Sequence, residues 1–153
     1  MDCIVTYEGR LVLRDGRPAS HHATYERVWK RYLDVFDSVT VISRVFPVEQ
    51  AAAAPVEGPG VNVLRLPPFS GGAEYMAQLP AIRRRMRAAA ARDAAFILTV
   101  PGAGVLWTEL RRANRPYAVE VVGDPYDVFA PGAIRHPLRA GLRRWYRRHR
   151  SKM

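Results

Sequence analysis

The stretch PYAVEVVGDPYDVF (116–129) is the part of the sequence that most clearly indicates the fold. Its first part, residues 117–122, is an apolar, β-branched run that predicts a strand covered by helices on both sides. This strand leads directly into Gly123 and Asp124. In parallel α/β domains, ligands bind just beyond the carboxyl ends of the strands. The stretch therefore predicts an acidic loop at a ligand site.

Patterns typical of strands and helices alternate along the rest of the chain. Short β-branched or apolar runs predict further strands at 3–7, 39–46, 61–66 and 95–100. Asp15-Gly16 predicts the turn of a small hairpin, and Pro47 is expected to end the strand before it. The predicted fold class is α/β, with one Rossmann-like domain whose open, mostly parallel sheet carries helices on both faces.

Apolar residues at helical spacing predict the helices between these strands. The clearest helix begins at Tyr25, and its apolar positions recur at i, i+3, i+4, i+7, i+8 and i+11 as far as Phe36. The aromatic rings on this side are expected to belong to the core. Burial is predicted for Trp29, Tyr32, Phe36, Ile97 and Val119.

The net charge of +10 is concentrated near the carboxyl terminus. Residues 128–153 hold eight of the 24 Lys/Arg and none of the 14 Asp/Glu, so the remainder has 16 basic and 14 acidic residues. The predicted organisation is a Rossmann-like domain over 1–134 and a basic amphipathic helix over 135–153. That helix has three interpretations: it lies on anionic lipid, it binds nucleic acid, or it is a connector whose apolar side packs on a second domain. The third interpretation accounts best for its Leu, Trp and Tyr residues, and nucleic acid is the least favoured partner.

Several function classes have no support in the sequence. No GxGxxG motif follows the first strand, no P-loop is present, and no Cys/His pair has zinc spacing, so neither a cofactor nor a metal is predicted. Cys3 is the only cysteine, which excludes an intrachain disulfide and fits a reducing cytoplasm. No run of 18 apolar residues is present. The expected location is the cytoplasm, with the inner membrane face as a peripheral alternative.

Four segments together resemble one protein family. They are YERVWKRYLDVFDSVTVISRV (25–45), GPGVNVLRLP (58–67), TVPGAGVL (99–106) and RPYAVEVVGDPYDVFAPGAIRHPLR (115–139). The chain resembles the N-terminal half of bacterial family-4 glycosyltransferases of the GT-B fold, and the last segment is the most specific part of this resemblance. The resemblance implies an acceptor-side domain facing a second Rossmann-like domain or subunit that binds most of the nucleotide-sugar. The chain is accordingly expected to be truncated or one half of a split enzyme, and inactive alone.

The resemblance and the expected strand ends together nominate candidate site residues. Asp124 is the catalytic candidate, since its carboxylate could orient an acceptor or sugar hydroxyl; the alternative is a turn cap. The candidates for an acceptor and donor cleft are Arg10, Arg44, Gly102, Gly104, Glu120, Gly123, Tyr126 and Asp127. Arg44 would hold a phosphate or an anionic acceptor, or form a surface ion pair. The candidates for membrane or partner contact are Arg139, Leu142, Arg143, Trp145 and Arg147.

A rival function belongs to another class. The chain could be a non-catalytic α/β binding module that docks on a partner or an anionic membrane through its basic helix. A basic nucleic-acid-binding protein is a third possibility, against which the lack of a known recognition motif counts. The sequence leaves the sugar donor and the acceptor open.

Overall fold

The computed structural model of the protein describes residues 1–100, 104–121 and Arg144. The chain divides into two compact units, Met1–Glu120 and Val121–Met153. All the elements described below lie in the first unit, except for the last residue of the final strand.

The described elements follow one another as the alternating pattern predicts. The strands are β1 (Asp2–Thr6), β2 (Leu11–Arg14), β3 (Arg17–Ser20), β4 (Ser38–Glu49), β5 (Ala54–Pro55), β6 (Val61–Leu66), β7 (Ala95–Val100) and β8 (Ala118–Val121). The α-helices are α1 (Gly72–Ala90) and α2 (Gly104–Arg112). A further helical segment, here called the 25–34 helix, joins a π-helical turn, Tyr25–Trp29, to a 3₁₀ segment, Lys30–Asp34.

The sheet is open and mostly parallel. Its main part has the order β6-β4-β1-β7-β8, and the β4–β6, β1–β4 and β1–β7 pairs are parallel. β2 pairs in parallel with the far end of β4, whereas β3 pairs antiparallel with both β2 and β5. The prediction of an α/β domain with a mostly parallel open sheet is confirmed, and so is the hairpin, which is formed by β2 and β3.

Two apolar clusters cover the two faces of the sheet. On one face, α1 and α2 pack on Ile4, Ile42 and Leu98. On the other face, the 25–34 helix packs on Cys3, Val5 and neighbouring valines. The period-2 alternation of β1 explains the split, since Ile4 and its neighbours Cys3 and Val5 point to opposite faces. Helices therefore lie on both faces of the sheet, as the sequence predicted.

The 25–34 helix differs from the regular α-helix that its periodicity predicted. The Lys30 N–H bonds to the Tyr25 carbonyl, which is the wide i→i+5 closure of a π turn, and the segment then tightens into 3₁₀ geometry. Trp29 is 2% exposed and donates its indole N–H to the Ala23 carbonyl at 2.8 Å. Tyr32 and Phe36 are only half-buried, so the prediction that they are fully buried was wrong.

Pro47 does not end β4, which continues to Glu49. The β6 ladder already stops at Arg44, so Pro47 lies beyond the part of β4 that pairs with β6. The register of β2 against β4 also shifts between Leu11 and Leu13, opposite this part of β4. Proline is tolerated at such irregular positions because no ladder hydrogen bond requires its missing N–H.

The strand near the carboxyl end is more exposed than the sequence predicted. Val119 is 52% exposed and Val121 is 70% exposed, so the prediction that Val119 is buried was wrong. β8 is the last strand in the order of the described sheet, where an apolar run need not be covered on both sides. Ile97, on the more central β7, is half-buried.

Candidate functional site

The parallel strands place several loop residues around one cavity, here called the strand-end cavity. Its volume is about 350 Å³, and its lining includes Tyr7 and Glu8 after β1, Arg44 of β4, Phe69 after β6 and Gly104 at the start of α2. This volume is near the lower end of the range of small-molecule sites, roughly 300–1,000 Å³. The cavity lies where the chain order of the strands reverses, since β4 and β6 continue to one side of β1 and β7 lies on the other. That is the usual ligand position in open parallel sheets.

Arg44 connects two of the loops that line the cavity. One terminal nitrogen, Nη2, donates to the Glu8 carbonyl at 2.7 Å, and the other, Nη1, donates to the Phe69 carbonyl at 3.3 Å. The guanidinium carbon also lies 4.7 Å from the centroid of the Phe69 ring. The planar guanidinium can make these contacts together because its donors point in fixed directions. Arg44 therefore holds the loops after β1 and β6 in place relative to β4.

Glu8 supplies a carboxyl group to the cavity lining. Burial raises the pKa of this carboxyl above its ordinary value, and the nearby positive charge of Arg44 opposes the shift. A carboxyl with a raised pKa in a cavity at the strand ends is a candidate for binding or proton transfer. Glu8 is not among the candidates from the sequence, although it directly follows the predicted strand 3–7. The available signal was an acidic residue immediately after the first strand.

Two buried threonines join β1 to β7 beside the cavity. The Thr99 N–H donates to the Thr6 hydroxyl at 2.8 Å, and the Thr99 hydroxyl donates to the Thr6 carbonyl at 2.7 Å. These bonds continue the connection between the strands beyond the ladder, which ends at the pair Val5↔Ile97. They fix the separation of the two strands at the point where the strand order reverses.

Gly104 lines the cavity from the first residue of α2. A Cβ added at this position meets no described heavy atom within 4 Å. Close packing against another described element is therefore not what favours glycine here. The assignment of Gly104 to an acceptor and donor cleft stays a prediction.

The remaining candidates are dispersed or lie outside the described residues. Arg10 is exposed, and its guanidinium carbon lies 5.1 Å from the Phe46 ring centroid. Glu120 accepts a hydrogen bond from the Tyr32 hydroxyl at 3.4 Å, and Tyr32 packs on the face opposite α1 and α2. The candidate residues that fall outside the described part of the chain are Gly102, Gly123, Asp124, Tyr126, Asp127, Arg139, Leu142, Arg143, Trp145 and Arg147.

Two further glutamates, Glu49 and Glu57, lie near the hairpin and the loop before β6. Glu49 accepts a bond from the Gly16 N–H at 3.2 Å, whereas Glu57 accepts one from the Val63 N–H at 3.2 Å and lies 3.7 Å from Arg17. Neither glutamate is part of the strand-end cavity lining. Their contacts stabilise the hairpin and the loop before β6.

The described part of the chain is thus an α/β domain with a ligand-sized cavity at its strand ends. Within residues 1–100 and 104–121, no group of three or more His, Cys, Asp or Glu side chains is placed to hold a metal ion. None of the described helices has both the length and the apolar character that crossing a bilayer requires. No family model, curated protein or solved structure matches this chain.

Proposed function

We propose that the chain is the N-terminal, acceptor-side domain of a nucleotide-sugar-dependent glycosyltransferase, and that it is one half of a GT-B architecture. One structural observation supports this most directly. Numbered along the chain, the main strands β1, β4, β6, β7 and β8 lie in the spatial order 3-2-1-4-5, with a cavity beside the first strand. The nucleotide-binding doubly wound fold has this order and binds its ligand at the same reversal point.

The chemistry of glycosyl transfer divides naturally between two such domains. The departing diphosphate and the oxocarbenium-like sugar both require stabilisation by preorganised charges and dipoles. In this proposal the second domain supplies the charges for the diphosphate. The strand-end cavity then positions the acceptor, with Glu8, Arg44 and Gly104 in its lining. Asp124 stays the catalytic candidate that the sequence nominated.

The test requires a second domain, to which the proposal assigns the donor side. The chain is co-expressed with the product of the reading frame directly downstream, and release of nucleoside diphosphate is measured over a panel of nucleotide-sugars. We expect turnover from the pair and at most trace turnover from the chain alone, because losing even one oxyanion-type donor costs roughly 10²–10³ in rate. Asp124→Asn in the active pair should reduce transfer with little change in melting temperature.

Two outcomes would contradict the proposed function. The first is robust turnover by the isolated chain, because the diphosphate-stabilising charges would then lie within it. The second is a downstream frame without an α/β domain, together with no turnover in either preparation. That second result would favour the binding-module alternative, in which the basic segment 128–153 docks on a partner or on anionic lipid.

A further inference from the structure

The charges around the strand-end cavity are not equally available to a ligand. Arg44 already donates to the Glu8 and Phe69 carbonyls and stacks on the Phe69 ring. Each terminal nitrogen therefore uses one N–H donor to hold the loops, two of the five donors of the guanidinium. These contacts make Arg44 a positioning residue for the loops after β1 and β6.

The Glu8 carboxylate has no ion-pair partner among the described residues, although Arg44 is close enough to affect its titration. Glu8 is half-buried, and an ionised group that is partly removed from water gains from hydrogen-bond donors that a ligand brings. A second negative charge in the same small cavity would be repelled, because screening by solvent is reduced there.

The other walls of the cavity are aromatic or apolar. Phe69 and Tyr75 meet edge to face with ring centroids 5.1 Å apart, and both line the cavity. Tyr7 is also among the lining residues, but its ring makes an edge contact with Trp29 at 5.5 Å in the apolar cluster on the opposite face of the sheet. Apolar walls with a few placed polar groups are typical of small-ligand sites. A sugar ring matches this lining, since its C–H face is apolar and its rim carries hydroxyl donors.

We propose that the strand-end cavity binds an uncharged pyranoside ring and rejects anionic ligands, with Glu8 as the residue that determines this specificity. The Glu8 carboxylate accepts hydrogen bonds from the ring hydroxyls, and Arg44 is a positioning residue that keeps the Glu8 and Phe69 loops together. The choice of a sugar as ligand rests on the proposed glycosyltransferase function. The preference for neutral over anionic ligands rests on the cavity itself.

The test uses matched pairs of probes that differ at one carbon. The full chain is titrated with methyl glucoside and methyl glucuronide, and likewise with the galacto and manno pairs, by ligand-observed NMR. We expect the neutral member of at least one pair to bind about tenfold more tightly than its uronide, the difference that one charged hydrogen-bonding group typically makes. Inorganic phosphate, as a third type of probe, should not compete.

Variants separate specificity from architecture. Glu8→Gln keeps the size of the side chain and should bring the neutral-to-anionic ratio close to one, whereas Glu26→Gln, on the 25–34 helix, should leave it unchanged. Arg44→Lys should weaken both members of a pair and preserve their ratio. In the parent chain the ratio of neutral to anionic binding should fall as Glu8 becomes protonated at low pH. If Glu8 only supported the structure of the cavity, this ratio would not depend on its protonation.

Several results would overturn this assignment. They are equal binding of both members in every pair, no binding of any neutral glycoside, competition by phosphate, or an unchanged ratio in a folded Glu8→Gln protein. Binding is measured without a second domain, so its outcome is independent of whether sugar transfer is observed. If neutral glycosides bind selectively but no sugar transfer is found, only the proposed glycosyltransferase function is contradicted. If sugar transfer is found without a preference for neutral glycosides, only the proposed role of Glu8 is contradicted.

Discussion

Glu8 is a residue whose burial makes its charged form less favourable in the folded protein. Burial raises its pKa, so the folded protein binds a proton more tightly than the unfolded chain does. Stability is therefore highest below the ordinary pKa of a glutamate and declines as the pH rises through the window up to the raised value. Arg44 reduces this penalty and does not remove it, since the net shift is still upward.

The first prediction follows from that sign. Glu8→Gln should be more stable than the parent chain at pH 7, and its stability should change less between pH 4 and pH 7, because the amide has no charge to bury. Urea unfolding at a series of pH values measures this. Glu26→Gln is the control, since Glu26 is exposed and pairs only with Lys30 at 3.1 Å among the described residues. A Glu8→Gln protein that is less stable than the parent at pH 7 would contradict the prediction.

A second prediction concerns the threonine pair between β1 and β7. Thr6→Val removes the acceptor of the buried Thr99 N–H, and an unsatisfied buried donor should cost about 1–3 kcal/mol in the free energy of unfolding. Thr108→Val, which removes an exposed hydroxyl bonded to a carbonyl of its own helix, should change it by less than about 0.5 kcal/mol. Chemical denaturation of both variants gives the comparison. Equal effects would show that the pair does not tie the strands together.

At the scale of elements, the turn between β2 and β3 shows how local chemistry determines structure. Asp15 and Gly16 have φ values of 52° and 71°, and together they form a two-residue hairpin connection. Such φ values are those of a type I′ turn, whose backbone twist matches the twist of the strands on either side. The dipeptide alone therefore sufficed to predict this hairpin.

Two glycine substitutions test the turn. Gly16→Ala should lower the free energy of unfolding by about 1–2 kcal/mol, because an L side chain at positive φ is strained even though space is available. Gly72→Ala, at the start of α1 and also in open space, should be neutral or slightly stabilising. The difference in urea midpoints between these variants isolates the backbone effect. Equal midpoints would contradict the type I′ assignment.

Elements whose bounds are set by neighbouring residues in the sequence could be predicted. Elements whose geometry depends on packing or on strand pairing with distant residues could not. β6 and β7 have the predicted bounds because each is a short apolar run ended by proline. The 25–34 helix has a regular apolar period, yet packing of Trp29 against the sheet accompanies a π turn that periodicity does not encode. Pro47 also misled, since its tolerance depends on where the neighbouring ladders stop.

The candidate site was predicted in part for the same reason. Arg44 and Gly104, two of the candidates from the sequence, lie in the lining of the strand-end cavity, and their role in an acceptor and donor cleft stays a prediction. Glu120 could not be assigned to a face from the strand pattern alone, and it bonds to Tyr32 on the other side of the sheet. The importance of Glu8 depends on its burial, which no local signal gives.

At the scale of the whole molecule, the basic and apolar residues of the sequence near the carboxyl terminus lead to a fourth prediction. The connector interpretation of residues 128–153 predicts self-association that persists at about 0.5 M salt, because apolar contacts are not screened. Adhesion to anionic vesicles should instead fall steeply between about 0.05 M and 0.5 M, since eight positive charges would drive it. Vesicle flotation beside sedimentation distinguishes the two. A monomer that ignores vesicles at low salt would contradict both.

The short passage between β1 and β2 gives this fold an unusual freedom. β1 and β2 both pair in parallel with β4. β1 pairs as far as Ile42, and β2 begins to pair at Val45. Residues 7–10 therefore connect two segments that lie along the same long strand, β4. Their number can therefore change without altering the register at either end, and doubling a loop costs only about 0.6 kcal/mol of closure entropy. Insertions at this position would reshape one wall of the cavity while the sheet stays intact. Loop length at this position therefore sets the shape of one cavity wall largely independently of the sheet.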